Sequence, residues 1–180
     1  MCIRDRIITV EDTTDPTFDN APGNETIECD VTPIIVEVTA SDNCDNDVFV
    51  ELVSTSTQTN DGSANDDCYE ITNTWTATDN CGNTNTHTQI ITVEDTVDPT
   101  FDNAPGNETI ECDVTPNIVV VTASDNCDND VLVEFVSTSN QTNDGSANDD
   151  CYEITNTWTA TDNCGNTLSL IHISEPTRPY

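Results

Sequence analysis

Between residues 69 and 78 the chain alternates strictly. Tyr69, Ile71, Asn73, Trp75 and Ala77 fall on one face of an extended segment, and Glu70, Thr72, Thr74, Thr76 and Thr78 fall on the other. A period of two residues predicts a β-strand with one buried side. Trp75 is then a core aromatic, which is favoured over a sugar-stacking surface tryptophan. Shorter runs flank this strand. Residues 34–40 (IIVEVTA) are rich in β-branched side chains and predict a strand with Val36, Val38 and Ala40 inward. Residues 48–53 (VFVELV) and 84–94 predict two more, and residues 25–29 (ETIEC) a short one. Pro16 cannot donate a ladder hydrogen bond, so TTDPTF at residues 13–18 fits a junction leading into an edge strand. Between the runs lie turn and loop sequences: NAPGN at 20–24, SDNCDND at 41–47, a polar stretch at 54–67 and DNCGN at 79–83. Asn60-Asp61-Gly62 reads as a tight turn inside the polar stretch. No segment has the period of an amphipathic helix.

The pattern is then written a second time. TWTATDNCGN at residues 74–83 returns unchanged at 157–166, and residues 7–84 reappear at 90–167 with an offset of 83. Six positions differ: Thr14/Val97, Ile34/Asn117, Glu37/Val120, Phe49/Leu132, Leu52/Phe135 and Thr57/Asn140. A period of this length sets the unit of folding.

The identity stops at Arg6 and at Leu168. MCIRD at residues 1–5 is what ATGTGTATAAGAGAC encodes, and LSLIHI at 168–173 is what CTGTCTCTTATACACATC encodes. The second string begins with the reverse complement of an extension of the first. Residues 1–6 and 168–180 therefore resemble translated sequencing adaptors and are set aside as artefacts. The expected organisation is the last strand of a preceding repeat at 7–12, repeat 1 at 13–95, and repeat 2 at 96–167 without its native last strand. Leu168, Leu170, His172 and Ser174 alternate with Ser169, Ile171 and Ile173, so the C-terminal segment could still fill the vacant strand position.

Setting the ends aside sharpens the composition. The formal net charge is −32, and the three basic residues, Arg4, Arg6 and Arg178, all lie in the excluded ends. With no lysine or arginine, the repeats have nothing to neutralise phosphates, which argues against nucleic-acid binding. An anionic membrane surface would repel them. No run approaches the ~18 apolar residues of a membrane span. Each repeat has four cysteines, Cys29, Cys44, Cys68 and Cys81, then Cys112, Cys127, Cys151 and Cys164. Units of this size bury modest cores, and an even cysteine count in an acidic chain reads as disulfide staples in an oxidising compartment. A four-cysteine zinc site is the weaker reading, because no CxxC pair is present.

TATDNCGN followed by ITVEDTVDPTF resembles the hyalin repeat (HYR-like), an immunoglobulin-like β-sandwich of large bacterial surface and secreted proteins. The matching features are the Trp-Thr-Ala-Thr-Asp…Gly-Asn strand, the last strand and the Asp-x-x-x-Pro junction, and the resemblance covers nearly the whole repeat. It implies an all-β chain of tandem immunoglobulin-like sandwiches. In such a sandwich, the loops at 41–47 and 79–83 share one end. Cys68 and Cys81 flank a strand that separates them by roughly 43 Å at ~3.3 Å per residue, far beyond the ~7 Å Cα limit of a disulfide. The expected pairs are Cys29–Cys68, Cys44–Cys81, Cys112–Cys151 and Cys127–Cys164.

The remaining chemistry lies in the acidic loops. Calcium takes six to eight oxygen ligands, mostly carboxylates and carbonyls. Candidate ligands at the junction between the repeats are Glu94, Asp95, Asp98, Asp125, Asp128, Asp130 and Asp162, with Asp66 and Asp67 approaching from the far end of repeat 1. The corresponding set before repeat 1 is Glu11, Asp12, Asp15, Asp42, Asp45, Asp47 and Asp79. None of these segments has an EF-hand pattern. The competing reading is a solvated acidic surface. No catalytic pair is expected: His87 reads as a single exposed strand histidine, and the carboxylates sit in polar loops without an apolar pocket. The expected role is a non-catalytic spacer or stalk, adhesion-related and stiffened by calcium, in a larger secreted or cell-surface protein. Its nearest partners would be neighbouring repeats of the same chain. The alternatives are a module that binds an extracellular glycan or protein, or an accessory domain of a secreted enzyme.

Overall fold

The computed structural model describes residues 6–59, 61, 66–111, 114–142, 144–145 and 152–177, with side chains described as far as Ser174. Among these residues the regular elements are strands, with a 3-10 position at Asp66. The turn read at Asn60-Asp61-Gly62 falls largely outside the described residues. Two compact units form. The first holds residues up to Ile27, Val31–Gln58 and Tyr69–Val93; the second holds Glu28–Asp30, Thr59–Cys68 and Glu94 onward.

In repeat 1, β1 (Thr17–Phe18) pairs with β3 (Ala40–Ser41). A four-stranded sheet runs in the order β2 (Glu25–Glu28), β6 (Thr84–Glu94), β5 (Tyr69–Thr78), β4 (Phe49–Ser56). The alternation of residues 69–78 is realised as read: Asn73, Trp75 and Ala77 are buried, and Trp75 is only 2% exposed. Its partner β6 contributes Gln89, Ile91 and Val93 to the same core. The buried amides are satisfied in sequence. Ser54 Oγ donates to Asn73 Oδ1 (2.7 Å), Asn73 Nδ2 donates to Gln89 Oε1 (3.2 Å), and Gln89 Nε2 donates to the Gly23 carbonyl (3.0 Å). Pairing in this way avoids the cost of an orphaned buried polar group.

Two readings change. Residues 34–39 do not form a strand, although Val38 is buried; Val36 is 42% exposed. The reason is local: the Asn20 side chain takes the place of a neighbouring strand. Its Nδ2 donates to the Glu37 carbonyl and its Oδ1 accepts from Thr39 N–H, both at 2.8 Å. His87 is half-buried rather than exposed. Its ring centroid lies 6.0 Å from those of Trp75 and Phe18, and Nε2 is 2.7 Å from the Pro22 carbonyl oxygen.

Repeat 2 repeats this plan. β7 (Thr100–Phe101) pairs with β9 (Ala123–Ser124), and the sheet order is β8 (Glu108–Glu111), β12 (Thr167–Thr177), β11 (Ile154–Thr161), β10 (Leu132–Ser139). β12 runs parallel to β8, and its residues 168–174 occupy the last-strand position of the repeat. It sits in the same register as β6, with Trp158 opposite Leu170 where Trp75 faces His87. Its inward face is unlike that of β6: His172 stands where Gln89 does and Ser174 where Ile91 does, both buried, while Ile171 is 60% exposed. His172 Nδ1 has no hydrogen-bond partner.

Candidate metal site and cysteine pairs

Each site begins in the DNCGN turn between the two long strands. Gly82 and Gly165 adopt φ of 93° and 96°, a region that glycine enters at little cost. This lets the turn fold back onto its first aspartate. Asp79 Oδ1 accepts from Cys81 N–H (2.9 Å) and Asn83 N–H (2.8 Å), and Oδ2 accepts from Asn83 Nδ2 (2.7 Å). Burial alone would raise the Asp79 pKa; the hydrogen bonds from Asn83, Gly82 and Cys81 outweigh it and hold the group below its ordinary value.

The same asparagine reaches the segment that enters the repeat. Asn83 Nδ2 also donates to the Asp12 carbonyl (3.2 Å), and Asn85 Nδ2 donates to the Pro16 carbonyl (2.9 Å). The 41–47 loop is tied to the turn by Asp45, whose carboxylate accepts from Asn80 N–H and Nδ2, both at 2.9 Å. Asp42 Oδ1 closes the loop by accepting from Cys44 N–H at 2.9 Å. The result brings one carboxylate oxygen each from Asp12, Asp42 and Asp79 within 4.8 Å of one another.

In the second unit the bonds of Asn83 and Asp45 have their equivalents. Asn166 Nδ2 donates to the Asp95 carbonyl (3.0 Å) and to Asp162 Oδ2 (2.8 Å), and Asp128 accepts from Asn163 N–H and Nδ2 at 3.0 and 3.1 Å. Asp95, Asp125 and Asp162 again bring oxygens within 4.8 Å. This trio is more enclosed. Asp95 and Asp162 are each 6% exposed, and Asp95 Oδ2 and Asp125 Oδ2 are buried with no hydrogen-bond partner. Burial raises the Asp95 pKa, and the neighbouring charges of Asp125 and Asp162 raise it further against the bond from Val97 N–H. Three convergent carboxylates with two orphaned oxygens fit a hard divalent cation, which takes all-oxygen ligands. Asp67, from the segment before β5, is held above its ordinary value first by burial and then by Asp128, Asp66 and Asp125, while a bond from Asn163 opposes the shift.

Of the sequence candidates, the structure gathers Asp12, Asp42 and Asp79, and Asp95, Asp125 and Asp162. Asp45 and Asp128 act as clamps between loop and turn. Glu11, Asp15, Asp47, Glu94, Asp98 and Asp130 are exposed and outside both trios. The asparagines that assemble each trio, Asn80 and Asn83, then Asn163 and Asn166, carry no sequence signal beyond their fixed places in DNCGN.

The disulfides differ from expectation. Cys29 bonds Cys127 (Cα–Cα 6.1 Å) and Cys68 bonds Cys164 (5.9 Å), all four within the second unit. Cys29–Cys68, Cys44–Cys81 and Cys127–Cys164 are not formed, and Cys44 and Cys81 are free and exposed. The backbone explains the choice at Cys29. Its N–H donates to the Glu94 carbonyl (2.9 Å), placing the thiol beside Asp95 and hence beside Cys127. Cys112 and Cys151, and so the expected Cys112–Cys151 pair, lie outside the described residues.

No family model matches this sequence, and no curated protein matches it. Solved structures do resemble it. Drosophila N-cadherin EC1-4 is 14% identical with a TM-score of 0.36, over 92% of this chain and 50% of that one. Mouse cadherin-23 EC22-24 is 16% identical with a TM-score of 0.35, over 91% and 67%. Mouse clustered PcdhgC3 EC1-3 is 14% identical with a TM-score of 0.35, over 91% and 68%. The chain spans half the length of the first of these.

Proposed function

We propose that this chain is a non-catalytic spacer segment of a larger extracellular or cell-surface protein, in which calcium fixes the segment entering each repeat to that repeat's loops. The observation that carries this reading is the acid trio, built twice from equivalent residues, with the buried Asp95 Oδ2 and Asp125 Oδ2 left without partners in the more enclosed copy. Asp95, Asp125 and Asp162 supply carboxylate oxygens, and the cation removes the mutual repulsion that burial would otherwise make costly. The two disulfides support an oxidising compartment. Near-identical repeats suit an array that provides length.

Isothermal titration with calcium tests the reading. The account expects a tight site that is lost in Asp95→Asn/Asp125→Asn, and a weaker one at the more open Asp12, Asp42 and Asp79. Absence of calcium binding to the unmodified chain at millimolar concentration would contradict it.

A second reading, a glycan- or protein-binding module, is favoured by an open groove of about 330 Å³ in the first unit, lined by Ile35, Val36, Glu37, Val38, Val50, Leu52 and Trp75. Glycan-array binding abolished by Leu52→Asp would support it.

A further inference from the structure

Cys127 and Cys164 are the second-repeat equivalents of Cys44 and Cys81, and both are bonded to cysteines contributed by repeat-1 sequence. Cys44 and Cys81 have the same loop and the same turn around them. Asp42 Oδ1 accepts from Cys44 N–H as Asp125 Oδ1 does from Cys127 N–H, both at 2.9 Å. Both DNCGN turns close on their first aspartate through the same asparagine, Asn83 N–H to Asp79 Oδ1 and Asn166 N–H to Asp162 Oδ1, each at 2.8 Å; Cys81 N–H adds a bond to Asp79 Oδ1 where Gly165 N–H bonds Asp162 Oδ1. Yet Cys44 and Cys81 are exposed thiols, not bonded to each other. Asp12, beside Cys44, is half-buried, whereas Asp95, beside the Cys29–Cys127 bond, is 6% exposed.

We infer that Cys44 and Cys81 are the receiving half of a two-disulfide joint, and that the donating half is the Cys29/Cys68 pair of another repeat of this type. Successive repeats are then linked covalently through paired bonds. The inference rests on the reading of the chain as part of a repeat array but not on calcium binding. Each bond forms by thiol–disulfide exchange: two thiols lose two protons and two electrons, and a small-molecule disulfide such as oxidised glutathione is reduced to two thiols. The joint also sets its sulfurs beside an acid of the trio, as the Cys29 and Cys127 sulfurs lie within 4.8 Å of an Asp95 oxygen.

A second copy of the chain offers the required partner in sequence, because Cys112 and Cys151 stand at the Cys29 and Cys68 positions of repeat 2. The test uses the full chain with Cys2→Ser, to remove the odd thiol, concentrated in a glutathione redox buffer. The expected result is a ladder of covalent head-to-tail oligomers on a non-reducing gel, collapsing on reduction. Peptide mapping should find Cys44 of one copy bonded to Cys112 of another, and Cys81 to Cys151. Neighbouring differences distinguish the peptides: Phe49 from Leu132, Ile34 from Asn117, Asn85 from Leu168, and Thr57 from Asn140. Cys44→Ser/Cys81→Ser should abolish the ladder and leave Cys29–Cys127 and Cys68–Cys164 intact. A Cys44–Cys81 bond within one copy, or both thiols remaining free without a ladder, would overturn the inference. Calcium titration of the same samples separates that outcome from failure of the proposed function.

Discussion

The side-chain amide of Asn166 donates at once to the Asp95 carbonyl and to the Asp162 carboxylate, at 3.0 and 2.8 Å. One residue thereby ties the segment entering the repeat to the turn that supplies the third acid. Asn166→Ala removes both bonds, one of them to a charged acceptor. It should destabilise the second unit by about 1–3 kcal/mol and weaken calcium binding more than Asn163→Ala, whose partner Asp128 lies outside the trio. Urea denaturation and calorimetry read the two effects separately.

The raised pKa of Asp95 fixes a pH dependence. Its ordinary value is 3.8, and burial with Asp125 and Asp162 nearby lifts the folded value above that. The folded state therefore holds this proton more tightly than the unfolded chain. The stability so gained is fully present below the ordinary value and is lost as pH rises through the folded pKa. Without calcium, Asp95→Asn should be more stable than the unmodified chain at pH 7, with the advantage shrinking towards pH 4. Asp79 has the opposite sign: its depressed pKa contributes stability above the ordinary value that is lost as pH falls through the folded one. Melting curves across that range in EDTA check both signs.

Cys44 reports on the acids beside it. The charge of Asp12 raises its thiol pKa most, followed by burial and Asp42. Since the thiolate is the reactive form, alkylation of Cys44 at pH 8.5 should be slow, and faster in Asp12→Asn. Calcium should accelerate it in the unmodified chain and have little effect in the variant. Mass spectrometry of quenched samples gives the rates.

The last strand of repeat 2 offers a gain of stability. His172→Gln/Ser174→Ile gives β12 the side chains that β6 presents at those positions. It fills the core and removes the unpartnered His172 Nδ1. Burying the isoleucine is worth roughly 1.5–3 kcal/mol, so the melting temperature of the second unit should rise.

Much of this architecture is legible in the sequence because it depends on period. The alternation around Trp75 places the core, and the offset of 83 carries it to Trp158. The trio is partly legible, since aspartates crowd the loops that share one end of a sandwich. Choosing Asp95, Asp125 and Asp162 over Asp98, Asp128 and Asp130 depends on asparagine hydrogen bonds that no periodicity encodes. The strand expected at 34–40 fails for a related reason: β-branched residues favour extension, but a ladder needs a neighbour, and here Asn20 supplies the bonds. Cysteine pairing is the least legible. Near-identical repeats give each cysteine chemically equivalent candidate partners, and at Cys29 the backbone bond to Glu94 is what separates them.

Hydrogen exchange of the Thr96 and Val97 amides tests the central claim most directly. Val97 N–H donates to Asp95 Oδ1 at 3.0 Å, and Thr96 N–H to Glu28 Oε2 at 3.2 Å, so both report on how firmly the entering segment is held. The account predicts that millimolar calcium at fixed ionic strength slows exchange at both positions at least tenfold, and that Asp95→Asn/Asp125→Asn loses the response. Equal slowing by sodium chloride, or an unchanged response in the double variant, would contradict it.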